Sequence, residues 1–295
     1  MKENFSAYVY FAGWRIVRWL PEQTAYNLAY RIADFLVKRN GKSVQRLRSN
    51  LERTQPSITK LNLDLLVIEA MRSYMRYWVD TFRFPDWSAD RVSGTVSVTN
   101  EHLLLDAVAA KTGVIVALPH AGNWDHAGAY FCAKGIPLVT VAERLKPEKL
   151  FLKFLAYRQA MGMEVLPLDG RVLGTLAQRL RQGALVALVA DRDLSRSGID
   201  VEFFKGTARM PAGPALLALK TQAPLITAFV SYTENGIHID FKHVVLPSAG
   251  EESAKVREIV QMTARHFEDG ISQTPQDWHM LQRIWVDGDF KERTV

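Results

Sequence analysis

Gly113-Val-Ile-Val-Ala-Leu-Pro119-His120-Ala-Gly122-Asn123-Trp124-Asp125-His126 runs from a wholly apolar stretch straight into a polar turn. Val114 to Leu118 has the length and continuity of a strand buried on both faces, as parallel strands are. Trp124 to Lys134 then reads as a short helix stopped by Gly135. A strand, a tight polar turn and a helix together predict an α/β fold with functional groups at the carboxyl end of the sheet. His120 stands at that strand end and Asp125 in the first turn of the helix. An imidazole oriented by a carboxylate on one ring nitrogen can act as a general base through the other. The helix N-terminus makes the backbone around Gly122, Asn123 and Trp124 a candidate cradle for an oxyanion. No Ser or Cys nucleophile elbow is evident, so the attacking hydroxyl is expected to come from the substrate. The competing reading is a strand-end histidine paired with a carboxylate for stability alone.

Outward from this stretch, strands are expected at Thr95–Val98, Leu138–Val141, Glu164–Leu168, Leu185–Val189, Val201–Phe204, Leu225–Val230 and Ile237–Val245. Helical patterns alternate with the middle strands, which predicts a largely parallel mixed sheet flanked by helices in one domain. Asn235-Gly236 marks a hairpin turn, so the last two strands are expected to form an antiparallel edge pair. Residues 1–90 read as helices and 91–295 as the α/β core. Two further strand ends carry charge: Glu143 follows Leu138–Val141, and Asp191-Arg192-Asp193 follows Leu185–Val189. Asp191 is expected in the same crevice as His120, binding substrate hydroxyls. For Asp193 the alternative is an ion pair with Arg192 or Arg196. Arg158, on a helix over Lys149–Met161, is a candidate for bidentate phosphate binding or for a salt bridge.

Together with Phe203-Phe-Lys-Gly206, the His120-x4-Asp125 and Asp191-Arg-Asp193 blocks resemble the lysophospholipid and lipid A-type acyltransferases. The resemblance runs from about Gly94 to Trp285. Pro119-His-Ala-Gly-Asn-Trp-Asp-His-Ala-Gly128, Ala142-Glu-Arg-Leu-Lys-Pro147, Tyr157-Arg158 and Asp191-Arg-Asp-Leu-Ser-Arg-Ser-Gly198 are most similar to its actinobacterial phosphatidylinositol mannoside acyltransferases. That resemblance implies transfer of a long acyl chain from acyl-CoA, as co-substrate, to a mannose 6-hydroxyl of a phosphatidylinositol mannoside. It implies His120 and Asp125 as the catalytic pair, with Glu143, Arg158, Asp191 and Asp193 binding substrate. No further cofactor and no metal are implied. Another lysophospholipid or glycolipid acceptor is the alternative. A more distant one is a metallohydrolase built on His120, Asp125 and His126, which lacks the usual His-x-His pair.

The 295 residues include 48% hydrophobic and 23% charged side chains, enough for a sizeable core, and carry a formal net charge of +6. A basic chain seeks an anionic partner. No Cys/His finger, RNP-like run or basic heptad region points to nucleic acid, so acyl-CoA phosphates and an anionic membrane surface are expected instead. The single cysteine, Cys132, excludes an intrachain disulfide and reads as a small core residue. Phe5 to Leu20 is apolar and aromatic but interrupted by Arg15 and Arg18, too short and too charged to span a bilayer. With Thr24 to Arg39 it is expected to lie in the headgroup region at the cytoplasmic face of the cell membrane, as a peripheral anchor.

Overall fold

The computed structural model of the chain describes residues 12–143, 148–168, 170–193, 195 and 197–287. The sequence readings at residues 1–11, at Arg144–Pro147 and at Arg196 lie outside them. The described residues open with a helical stretch at 12–19, followed by helices α1 (Glu22–Arg39), α2 (Lys42–Thr54) and α3 (Lys60–Arg83). Leu47 and Leu51 of α2 meet Val67 and Met71 of α3 in a small core of their own. Thr59 caps α3 by accepting from the Asn62 N–H.

The α/β core follows as α4 (Ala89–Gly94), β1 (Val96–Thr99), α5 (His102–Ala109), β2 (Val114–Leu118), α6 (Trp124–Ala133), β3 (Leu138–Ala142), α7 (Glu148–Ala160), β4 (Met163–Pro167), α8 (Val172–Arg181) and β5 (Leu185–Val189). After the hairpin β6 (Ile199–Phe203) and β7 (Gly206–Met210) come α9 (Gly213–Thr221), β8 (Leu225–Tyr232), β9 (Ile237–His243) and α10 (Glu252–Gln273). The seven-stranded sheet has the order β1-β9-β8-β2-β5-β3-β4. Every neighbouring pair is parallel except β8 and β9.

Two expectations are corrected here. The antiparallel pair is internal rather than at the edge, because β1 pairs with β9 and β8 lies against β2. Val201–Phe203 belongs not to this sheet but to the separate β6–β7 hairpin, which packs on α10. A one-sided strand needs only one buried face, and β6 shows it: Val201 and Phe203 are buried while Asp200 and Glu202 are exposed.

β2 shows why its run is apolar throughout. Ile115 and Ala117 join the core under α8, α9 and α10, with Leu176, Leu180, Leu217, Ile259 and Phe267. Val114, Val116 and Leu118 face the opposite layer, with Leu104 of α5 and Phe131 of α6. Both faces of the strand leave water, so neither tolerates a polar residue.

Candidate active site

His120 and Asp191 are brought together by strand register. Leu118 of β2 pairs with Val189 of β5, and the Ala190 N–H donates to the Leu118 carbonyl at 2.8 Å. The residue two beyond each strand end therefore stands beside its counterpart. The His120 Nδ1 lies 2.6 Å from Asp191 Oδ1, and the His120 backbone N–H donates to Asp191 Oδ2 at 3.0 Å. Asp191 has no exposed side-chain area, whereas the imidazole remains 35% exposed. A carboxylate acceptor at this distance places the proton on Nδ1 and leaves the Nε2 lone pair for another donor. Burial works against the Asp191 charge, but the His120 ring and hydrogen bonds from His120 and Trp278 outweigh it, holding the carboxyl below its usual range.

Asp125 does something else. It is buried, and its carboxylate accepts from Arg158 Nε at 2.8 Å and from the Tyr77 hydroxyl at 3.0 Å. The expected bond from Asp125 to His120 is thus replaced by the one from Asp191. The five-residue spacing places Asp125 in the first helical turn, where its side chain meets α3 and α7 rather than the strand end. Burial opposes the Arg158 charge, yet the Asp125 carboxylate overcomes it and the guanidinium is held more firmly protonated than usual. The pair ties α6 to α7, with Tyr77 adding α3.

The turn between His120 and α6 is built for its shape. Gly122 has φ +56°, and a Cβ there would lie 2.5 Å from the Val230 carbonyl oxygen, so only glycine fits. Its N–H donates to the Asp277 carbonyl at 2.9 Å and is not available to an oxyanion. The Asn123 side-chain oxygen caps α6 by accepting from the His126 N–H at 2.9 Å. Asp80, buried on α3, accepts from the hydroxyls of Tyr26 at 2.5 Å and Tyr232 at 3.0 Å and reaches the Asn123 amide at 3.4 Å. Trp124 sets its ring edge-on to His120, with centroids 5.7 Å apart, and stacks on Tyr77 at 4.4 Å.

The residues expected to bind substrate are engaged otherwise. Asp193 Oδ1 accepts from the Ser195 N–H, and its own N–H donates to the Arg209 carbonyl, so it shapes the loop after β5. Asp191, expected to hold substrate hydroxyls, has its oxygens committed to His120 and Trp278. Arg158 is committed to Asp125. Glu143 is exposed just past β3. The His126 Nε2–H donates to the Val92 carbonyl at 3.1 Å, and burial of the ring lowers its pKa to about 4. His120, Asp125 and His126 thus turn to three different partners, and no trio of metal-ligating side chains is gathered among the described residues.

Helix α3 and the C-terminal segment bring further polar groups to the site. Ser73 donates to Asp277 Oδ1 at 2.7 Å and lies 2.9 Å from His279 Nε2. Burial, with His120 nearby, lowers the His279 pKa to about 3, so its ring is neutral. In the sequence, Trp278-His279 stands out only as an aromatic and histidine pair shortly after Pro275. Nothing local marks Ser73, Tyr77 or Asp80 in the apolar pattern of α3.

The chain is similar to known proteins over most of its length. Over 280 residues it is 39% identical to the phosphatidylinositol mannoside acyltransferase of Mycolicibacterium smegmatis, covering 94% of this chain and 90% of that protein. It is 38% identical over 289 residues to the protein of the same name from Mycobacterium tuberculosis, covering 95% and 88%. The family model described as bacterial lipid A biosynthesis acyltransferase matches residues 1–287. With a match over nearly its whole length, the chain belongs to the bacterial lipid A biosynthesis acyltransferase family.

Proposed function

We propose that the protein moves a long-chain acyl group from acyl-CoA to a mannose hydroxyl, the 6-position, of a phosphatidylinositol mannoside. The observation that carries the chemistry is the 2.6 Å contact between His120 Nδ1 and the buried Asp191, which leaves Nε2 of the partly exposed ring as the base. The names of the two mycobacterial relatives support the acceptor. His120 takes the proton from the acceptor hydroxyl as its oxygen attacks the thioester carbonyl. Asp191 stabilises the imidazolium that forms. In this reading the oxyanion donors are the Trp124 and Asp125 N–H groups at the start of α6, since the His126 N–H is taken by the Asn123 cap. Collapse of the tetrahedral intermediate breaks the carbon–sulfur bond. The CoA thiolate leaves and takes up the proton held by His120, so no acyl-enzyme is needed. Asp125 acts through Arg158 and Tyr77, fixing the helix that carries those donors.

An apolar cavity of about 710 Å³ suits the acyl chain. It is lined by Trp14, Phe84, Trp87, Ala129, Tyr157 and Met161, and Arg18 and Lys153 also border it. Tyr157 in its wall is near enough to Asp125 to feel its charge, which sets the cavity toward the Asp125 side of the site. The N-terminal helices suit a peripheral seat at the cytoplasmic face of an anionic membrane. Ile16, Trp19, Leu28, Ile32 and Phe35 are exposed there, with Arg15, Arg31, Lys38 and Arg39 exposed among them. No described helix is long and apolar enough to cross a membrane.

The test offers palmitoyl-CoA to the purified protein with mannosylated phosphatidylinositol and lysophosphatidic acid as competing acceptors. Acylation of the mannoside is the expected result. Acylation of lysophosphatidic acid alone would keep the chemistry and overturn the acceptor.

A further inference from the structure

Three consecutive residues near the C-terminus grip the turn that carries His120. The Asp277 carbonyl accepts from the Gly122 N–H at 2.9 Å, Trp278 forms a β-bridge with Ala121, and the His279 N–H donates to the His120 carbonyl at 2.7 Å. Beneath this strap the Trp278 indole Nε1–H donates to Asp191 Oδ2 at 3.0 Å, the oxygen that also takes the His120 N–H. Trp278 is fully buried, its ring edge-on to Phe203 with centroids 5.9 Å apart.

We propose that Trp278 is a positioning residue for the His120–Asp191 pair, its indole N–H fixing the rotation of the Asp191 carboxylate. The last torsion of an aspartate is broad, so a carboxylate held on one oxygen swings readily. Here the indole and the His120 N–H pin Oδ2 from two sides, and that sets Oδ1 toward Nδ1. The indole itself cannot follow a swinging carboxylate, because its backbone is bonded to the turn and its ring is enclosed. Charge-assisted bonds of this kind are strong enough to select one orientation. The inference rests on His120 being the base of the proposed transfer.

The test replaces Trp278 with 3-benzothienylalanine, which keeps the bicyclic shape and loses the N–H, alongside Trp278→Phe. Trp285→Phe is the control: its buried indole donates to Asn50 Oδ1 at 2.9 Å, away from the pair. We expect kcat for acyl transfer to fall on the order of 10- to 100-fold at position 278 with little change in KM. The low-field proton resonance of His120 Nδ1–H, identified by its absence in His120→Ala, should shift or broaden there. Trp285→Phe should alter neither. An unchanged kcat and an unchanged resonance in the benzothienyl protein would overturn the inference while leaving His120 chemistry intact. Full transfer by His120→Ala would instead overturn the proposed mechanism, and the resonance would still report on Trp278.

Discussion

Asp125 and Arg158 face each other across helices α6 and α7 with 2.8 Å between carboxylate and guanidinium, both largely withdrawn from water. The acid of the His-x4-Asp spacing is therefore committed to a buried ion pair, and the histidine takes its carboxylate from a different strand. Position along the chain and partnership in space part company at this site, and the consequences for mutation differ accordingly.

Removing one member of a buried pair leaves the other charge without compensation. Asp125→Ala should therefore destabilise the protein by about 3–5 kcal/mol. Replacing both residues, as Asp125→Leu with Arg158→Met, should recover much of that loss. Chemical denaturation of the three proteins measures it. A double variant no more stable than Asp125→Ala would show that Arg158 does not depend on Asp125.

Two buried neutral histidines set an acid limit on stability. Unfolded, each takes up a proton as the pH falls through 6.5. Folded, His126 does so only near pH 4 and His279 near pH 3, because burial disfavours their charged forms. The unfolded state thus binds more protons across this window, and stability should fall from pH 6.5 toward pH 4 by several kcal/mol, at about 1.4 kcal/mol per unit of pKa difference. Melting temperatures recorded across that range give the slope. A flat profile would contradict the neutral, buried state of both rings.

The cavity beside α6 should act as a gauge of chain length. Ala129 is buried in its wall. Ala129→Leu should lower kcat/KM for palmitoyl-CoA by about tenfold or more relative to a medium-chain donor, since each methylene displaced is worth roughly 1 kcal/mol or more. Equal loss across all donor lengths would place the acyl chain elsewhere.

Membrane contact should reside in the exposed aromatics of the N-terminal helices. Trp19 is 86% exposed and Phe35 lies on the exposed side of α1. Trp19→Glu with Phe35→Glu should abolish flotation with anionic liposomes at low salt while transfer in detergent micelles persists. Undiminished flotation would move the contact to another surface.

Much of the fold was legible because the sheet is buried on both faces. β2 and β5 are unbroken apolar runs, and Gly135 ends α6 as a left-handed residue at φ +76°. What the sequence could not show is strand order. Asn235-Gly236 announces an antiparallel pair, but no local signal tells that β1 closes over β9 and makes it internal. The same blindness governed the site. His120 and Asp125 are near in sequence, while Asp191 meets His120 only because β5 lies beside β2 in a register that aligns Val189 with Leu118. The one available hint was positional: both residues stand two beyond the end of an apolar strand. Tyr77 and Asp80 gave none, since both enter from α3, well upstream of the strand that carries His120.

The most direct test of the account is the rate of acyl transfer from palmitoyl-CoA to mannosylated phosphatidylinositol by Asp191→Asn, measured beside His120→Ala. An asparagine keeps the shape but loses the charge that fixes the imidazole tautomer and stabilises its protonated form. We expect a fall in kcat on the order of 10³- to 10⁴-fold with KM little changed, approaching the loss in His120→Ala. Wild-type turnover by a folded Asp191→Asn protein would contradict it.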